Sequence, residues 1–179
     1  MAKVVSLSKD DKHQFSKITC ESLNLLTGLG VEGDAHCGEN VKHRSRVRID
    51  PGQPNLRQVH LLHSEFLSEL QDGGFNVRAG TLGENILTKD LNLLALPKNA
   101  LLRIGKSTVL RITGLRNPCA QLENFQPGLL AACLGHDETG ALRRKAGVMA
   151  VVEQGGHIYL NDPIRVERPP EPYEPLTTV

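Results

Sequence analysis

At 179 residues and a formal charge of +1, the chain is long enough for one domain with a real core, and it shows no chain-wide electrostatic commitment to nucleic acid or acidic membranes. Aromatic residues are only 3% of the total and tryptophan is absent, which argues against the base-stacking platforms used to bind single-stranded nucleic acid. The 17 glycines and 10 prolines suit short strands joined by many turns.

Residues Met1 to Phe15 alternate apolar and polar side chains and soon become charged, with no apolar signal core. No later run is long enough to span a bilayer. A cytoplasmic protein is expected, with neither membrane nor nucleic acid as a partner. The cysteines are Cys20, Cys37, Cys119 and Cys133. No pair makes C-x-x-C, so a zinc ribbon or a thioredoxin-type motif is not expected, and an even count is no evidence for disulfides in a reducing compartment.

Lys3 to Ser8 reads as a first strand and Lys9 to Lys17 as a polar stretch. Asn24 to Gly30 is apolar and ends in a Gly-Leu-Gly turn. Gly33-Asp34-Ala35-His36-Cys37-Gly38 is a tight loop in which two glycines bracket side chains capable of polar or metal chemistry. A plain Asx turn, with Asp34 bonding its own backbone, explains the same residues. In His43 to Ile49, an extended backbone would put Arg44, Arg46 and Arg48 on one face. Three guanidiniums there would suit phosphate, while a charged edge strand that blocks aggregation is the competing account. Asp50 to Asn55 is a loop.

Gln58 to Leu62 reads as a strand, and Ser64 to Gln71 as a helix with Phe66, Leu67 and Leu70 on one face, ended by Asp72-Gly73-Gly74. His60 and His63 straddle that junction, so the H-x-x-H spacing reads as structural. Gly80 to Leu87 is a glycine-paired turn running into a strand, with Glu84 and Asn85 at its entry. They are placed either to bond a polar ligand or to satisfy loop backbone. It lacks the dinucleotide fingerprint, and Gly105-Lys106-Ser107 lacks the upstream glycine of a P-loop. Ala100 to Ile104 and Ser107 to Thr113 form a hairpin.

Thr108 to Ile112 leads into Arg116-Asn117-Pro118-Cys119. Asn117 suits a helix N-cap and Pro118 the first helical position, which would put Cys119 in the first turn. A helix end and the nearby Arg116 favour a thiolate able to attack, carry a second sulfur or bind a soft metal. A cysteine packed as a small hydrophobe is the alternative. Pro127 to Leu134 reads as a second short helix, Gly135 to Gly140 as a polar loop and Arg143 to Lys145 as a basic cluster. Gly147 to Val152 reads as a strand buried on both faces. Gly155-Gly156 reads as a hairpin turn returning through His157 to Tyr159 and Ile164 to Val166. Pro169 to Pro175 is a proline-rich tail, extended or loose. Together these elements predict one mainly β domain over residues 1–168, a β-barrel with a few short helices, followed by the 169–179 tail.

The chain resembles the MOSC domain, found at the C-terminus of molybdenum cofactor sulfurases and as stand-alone bacterial proteins. The resemblance rests on Gly33-Asp34-Ala35-His36, on Gly80 to Asn85, on Arg116 to Cys119 with its Pro-Cys pair, and on Gly147 to Val152 followed later by Asp162-Pro163. It spans about Val4 to Val166. It implies a barrel similar to the barrel domain of pyruvate kinase. It also implies molybdenum cofactor (molybdopterin) as cofactor and Cys119 as molybdenum ligand or persulfide carrier. On the same reading Asp34, His36, Arg44, Arg46, Arg48, Glu84, Asn85 and Arg116 are the candidate cofactor-binding residues. The partner would then be the cofactor or a sulfur-donor protein. Some relatives are molybdenum-dependent reductases of N-hydroxylated compounds; they carry an additional N-terminal region not seen here, and such an activity would need a separate electron donor. A metal-free redox-sensing or binding domain is the remaining alternative. The chain departs from the family pattern at Asn161, where glycine is frequent, and at Cys37, where small residues are usual; Cys37 thereby becomes a potential partner for Cys119.

Overall fold

The computed structural model describes residues 1–40, 42, 47–50 and 52–179. Its main element is an eight-stranded sheet in the order β13-β7-β8-β11-β5-β6-β1-β2. The strands are β1 (Lys3–Lys9), β2 (Ile18–Cys20), β5 (Val59–His63), β6 (Ile86–Lys89), β7 (Leu101–Ile104), β8 (Thr108–Leu115), β11 (Val148–Gln154) and β13 (Ile164–Glu167). A second sheet pairs β12 (Gly156–Tyr159) with β3 (Ser22–Leu26) and β3 with β4 (Gly30–Val31); β9 (Leu134–His136) and β10 (Leu142–Arg144) form a separate hairpin. Among the described residues the helices are α1 (Ser64–Asp72), α2 (Ala120–Phe125) and α3 (Leu129–Ala132), with a 3-10 turn at Leu93–Ala95. No helix among the described residues is long and apolar enough to cross a membrane.

Two apolar clusters hold the sheet. On one face Val4, Leu7, Leu61, Ile86, Leu102, Leu110 and Ala150 pack together. On the other, Leu62, Phe66, Leu70, Leu87, Leu122, Leu129 and Cys133 seat the helices. The neighbours Leu61 and Leu62, like Ile86 and Leu87, thus face opposite cores. This is the mark of strands covered on both sides, and β5 and β6 do form a parallel pair. α1 follows the expected amphipathic pattern, with Phe66, Leu67 and Leu70 buried.

The mainly β composition agrees with the sequence; barrel closure does not. The edge strands β13 and β2 do not pair with each other. The two ends of the sheet touch through an isolated Lys3↔Pro163 bridge, flanked by Val4 N–H to Asp162 O at 3.0 Å and Ile164 N–H to Ala2 O at 2.8 Å.

Other differences are local. The Gly135 to Gly140 loop and the basic cluster belong to the β9–β10 hairpin. Beyond Gly155 the chain leaves β11 and pairs with β3 rather than folding back on its own strand. Arg48 lies in a turn, not in an extended strand; Arg44 and Arg46 fall outside the described residues. The tail is not loose: Lys98 N–H donates to Glu174 O at 2.9 Å and Leu115 N–H to Thr177 O at 2.8 Å.

Candidate functional site

A cavity of about 490 Å³ opens where the end of β8 meets the starts of β11 and β5. Arg116, Asn117, Cys119, Ala120 and Gln121 form one wall, reached directly from β8. β11 contributes Met149, β5 contributes His60, and the loop before β6 contributes Leu82, Gly83 and Asn85. His36, Arg48 and Arg57 come from the long connection between β4 and β5, and His13 to Phe15 with Lys17 from the segment after β1. Residues separated by a hundred positions therefore share one space. A β-bulge helps to shape it: Met149 and Ala150 of β11 face Gly114 and Ile112 of β8, leaving Thr113 as the extra residue. The Thr113 hydroxyl donates to Leu56 O at 2.6 Å, which ties the bulge to the neighbouring loop.

The helix start differs from expectation. Cys119 itself is the N-cap of α2, with φ −129° and ψ 169° and no side-chain capping bond. Asn117 instead accepts from Arg144 Nε at 3.2 Å. Asn117 therefore does not cap the helix. Cys119 sits before the first turn on extended backbone, partly buried. Its thiol donates weakly to Gln121 Oε1 at 3.6 Å.

Arg116 is fixed by its backbone, whose N–H donates to Gly147 O at 3.0 Å. Its Nη1 is buried without a hydrogen-bond partner. Burial lowers the guanidinium pKa, opposed by Cys119, Cys133 and Glu84, but arginine stays charged. The lining includes Lys17, Arg48, Arg57 and Arg116 and, among the described residues, neither Asp nor Glu.

Asp34 lies behind this lining and organises it. Its Oδ2 accepts from Lys17 Nζ at 2.6 Å and Asn85 Nδ2 at 3.0 Å, and its Oδ1 from the His36 backbone N–H at 3.0 Å. His36 Nδ1 lies 3.2 Å from the same oxygen. Burial alone would raise the Asp34 carboxyl pKa, but His36 and Lys17 together hold it well below the usual carboxylate range. The Lys17 pKa is lowered too, but by burial, with Asp34 opposing. His13 meets the His36 ring edge-on, 5.2 Å between centroids. The Gly33 to Gly38 loop thus contains an Asx-type turn and a charged network at once.

Asn85 ties three segments together. Its Oδ1 accepts from His60 N–H at 3.1 Å, and its Nδ2 also reaches Ser8 O at 3.1 Å. Glu84 is buried beside it, outside the lining. Its Oε1 accepts from Gly80 N–H at 2.6 Å while its Oε2 has no partner; burial pushes its carboxyl up to about 6. His60 Nε2 donates to Ala146 O at 2.8 Å, and burial, followed by the charge of Arg116, lowers its pKa well below that of free histidine.

The sequence from residue 32 to residue 165 matches the MOSC domain. The chain belongs to the MOSC domain family. By structure this MOSC domain is similar to the YuaD protein of Bacillus subtilis, at 24% identity and a TM-score of 0.75, covering 94% of this chain and 97% of that one. It is also similar to YiiM of Geobacillus stearothermophilus, at 18% identity and a TM-score of 0.64, covering 94% and 76%. YiiM of Escherichia coli aligns at 19% identity and a TM-score of 0.63, covering 97% and 73%. At these identities the likeness is one of fold. Comparison with curated proteins returns no match.

Within the MOSC domain, Cys119, Arg116, Arg48, His36 and Asn85 line one cavity, with Asp34 bonded to two of them and Glu84 one residue away. Cys37 is not part of the lining. Burial, and then the charges of Asp34 and Glu32, raise its thiol pKa. Sequence reasoning did not single out Lys17, His13 or Arg57. Lys17 lay in a stretch read only as polar, and its side chain is 6% exposed; nothing local marks a lysine whose partner is 17 residues away.

Proposed function

We propose that this MOSC domain binds molybdenum cofactor in the cavity, with Cys119 as the protein ligand to the metal. The observation that carries the reading is the buried, unpartnered Arg116 Nη1 on the same cavity as Cys119. An orphaned guanidinium donor among four cationic residues, with no carboxylate among the described lining, fits an anionic ligand. A thiol on the same wall fits a soft metal centre. Among the described residues no group of three or more His, Cys, Asp or Glu is placed to hold a metal ion. A metal at Cys119 would therefore draw its other ligands from the cofactor.

When bound, the cofactor supplies a metal centre that exchanges oxygen or sulfur ligands and electrons. The chain binds and orients it. Arg116, Lys17, Arg57 and Arg48 would neutralise the phosphate-bearing tail. Asp34 holds Lys17 and His36 in place, and Asn85 fixes the loop before β6 against β1 and β5. Leu82, Phe15 and Met149 supply the apolar lining that excludes water.

The test is metal and phosphate analysis of protein purified from molybdate-supplied cells. Wild type should carry molybdenum and organic phosphate in equal amounts. Cys119→Ser should lose the metal, and Arg116→Ala both. Wild type without either, purified from a host that makes the cofactor, would refute the reading. Cyanide-releasable sulfur on the same samples distinguishes a persulfide at Cys119 from a metal. Reduction of an N-hydroxylated base with an added electron donor tests for reductase activity.

A further inference from the structure

We infer that the segment Glu174–Val179 is a working part of the cavity, acting as the positioning element for Arg116. The inference rests on the proposed anion-binding role of that arginine. The segment crosses the end of β8. Leu115 N–H donates to Thr177 O at 2.8 Å, and Val179 N–H returns to Leu115 O at 3.4 Å. Leu115 and Thr178 thereby form a parallel bridge. Leu176 packs on the main core. Lys98 anchors the start of the segment twice, through its backbone N–H to Glu174 O at 2.9 Å and its Nζ to Glu174 Oε2 at 3.2 Å.

The residue next to this clamp is Arg116. Its own N–H is held from the opposite side by Gly147 O at 3.0 Å. The backbone on which the orphaned guanidinium stands is thus gripped between the lead-in to β11 and the tail. Gly114 shows how close the tail comes. A Cβ there would lie 2.4 Å from Thr177 O and 2.6 Å from Val179 Cγ1. Backbone occupies the place of a side chain, an approach that only glycine permits. A buried charge with one unsatisfied donor gains from a fixed frame, because the ligand then meets a preset guanidinium and less is lost in ordering it.

The experiment titrates the full chain with inorganic phosphate, followed by NMR chemical shifts, with circular dichroism as the check on folding. Four proteins are compared: wild type, a deletion of residues 174–179, Arg116→Ala, and the two combined. The deletion should weaken phosphate binding at least fivefold, and Arg116→Ala at least as much. The combined variant should be no weaker than Arg116→Ala alone, because the tail acts through that one side chain. A merely structural tail would instead give losses that multiply. Multiplying losses overturn the inference, as does a deletion that stays within twofold of wild type while Arg116→Ala weakens binding; the cavity reading then stands. Unchanged binding in Arg116→Ala overturns both. If the long deletion does not fold, deletion of 177–179 and Gly114→Ala, which pushes the tail off an otherwise complete chain, are read by the same criteria.

Discussion

Lys17 Nζ lies 2.6 Å from Asp34 Oδ2, in an ion pair whose side chains are only 6% and 1% exposed. Two charges so far from water are expensive to separate, since removing one leaves the other buried and uncompensated. Asp34→Asn should therefore destabilise the fold by about 3–5 kcal/mol, read from urea unfolding at pH 7. Lys17→Met, which removes a charge yet keeps the length, leaves Asp34 its bonds from His36 and Asn85 and should cost less. The depressed Asp34 pKa gives stability that is present above the ordinary carboxylate value, about 3.9, and lost as pH falls through the lower folded value. The Asn variant should lack that acid-side loss.

Glu84 has the opposite sign. Its carboxyl rises from 4.5 to about 6 on burial, so between those values the folded state holds a proton that the unfolded state has released. Stability from this group falls as pH rises through that window and is level above it. The effect is about 2 kcal/mol, at 1.36 kcal/mol per pKa unit. His60, buried with a depressed pKa, gives stability that is present above the pKa of free histidine and lost as pH falls below it. The measurable quantity is therefore the difference between wild type and Glu84→Gln in chemical unfolding from pH 4 to 7. Glu84→Gln should lack the decline from pH 4.5 to 6; identical pH slopes would refute the assignment.

Cysteine reactivity should be graded. Cys133 is fully buried, and burial pushes its thiol up to about 11. Burial also raises the thiols of Cys20 and Cys37. Cys119 lines an open cavity beside Arg116. Iodoacetamide at pH 7 followed by mass mapping should label Cys119 first and Cys133 only after unfolding. Cys133 labelling as fast as Cys119 would remove the case for a reactive thiol at the cavity.

Gly80 makes a fourth test. Its φ is +81°, and a Cβ would lie 2.3 Å from Lys17 O. Lys17 N–H donates to Gly80 O at 2.8 Å. Gly80→Ala combines a left-handed backbone with a clash against backbone, and should cost about 3 kcal/mol or more. Because the displaced segment carries Lys17, phosphate binding should fall as well. A thermal midpoint unchanged from wild type would contradict this close approach.

The parts of the fold and site legible in the sequence are those with local chemistry. Gly33 to His36, Gly83 to Asn85 and Arg116 to Cys119 stood out because glycine turns and Pro-Cys are visible within a few residues. Short apolar segments gave β1 and β5, the Gly105-Lys106 turn gave the hairpin of β7 and β8, and helical spacing gave α1. Lys17 was not legible, because its meaning depends on Asp34 across a turn of chain. The β9–β10 hairpin was hidden by its polar residues. The helix cap moved from Asn117 to Cys119 because Arg144 engages the asparagine side chain, a contact 27 residues away. The tail was read as extended or loose from its prolines, which indicate stiffness but not where a segment docks.

The bridge between Lys3 and Pro163 bears on the order of events in the life of the chain. Strand β1 waits for Ile86 to Lys89 before it gains its inner neighbour, and for residues 161–164 before its outer end is held. Most of its pairing is with sequence made long after it. Such non-local pairing makes for slow assembly. Until residues 161–164 are made, the outer edge of β1 at Val4 lacks its partner, and until Asn85 is made the cavity wall that depends on Ser8 and Asn85 stays unformed. Occupation of the cavity then waits until Met149, the last of its described lining residues along the chain, is in place.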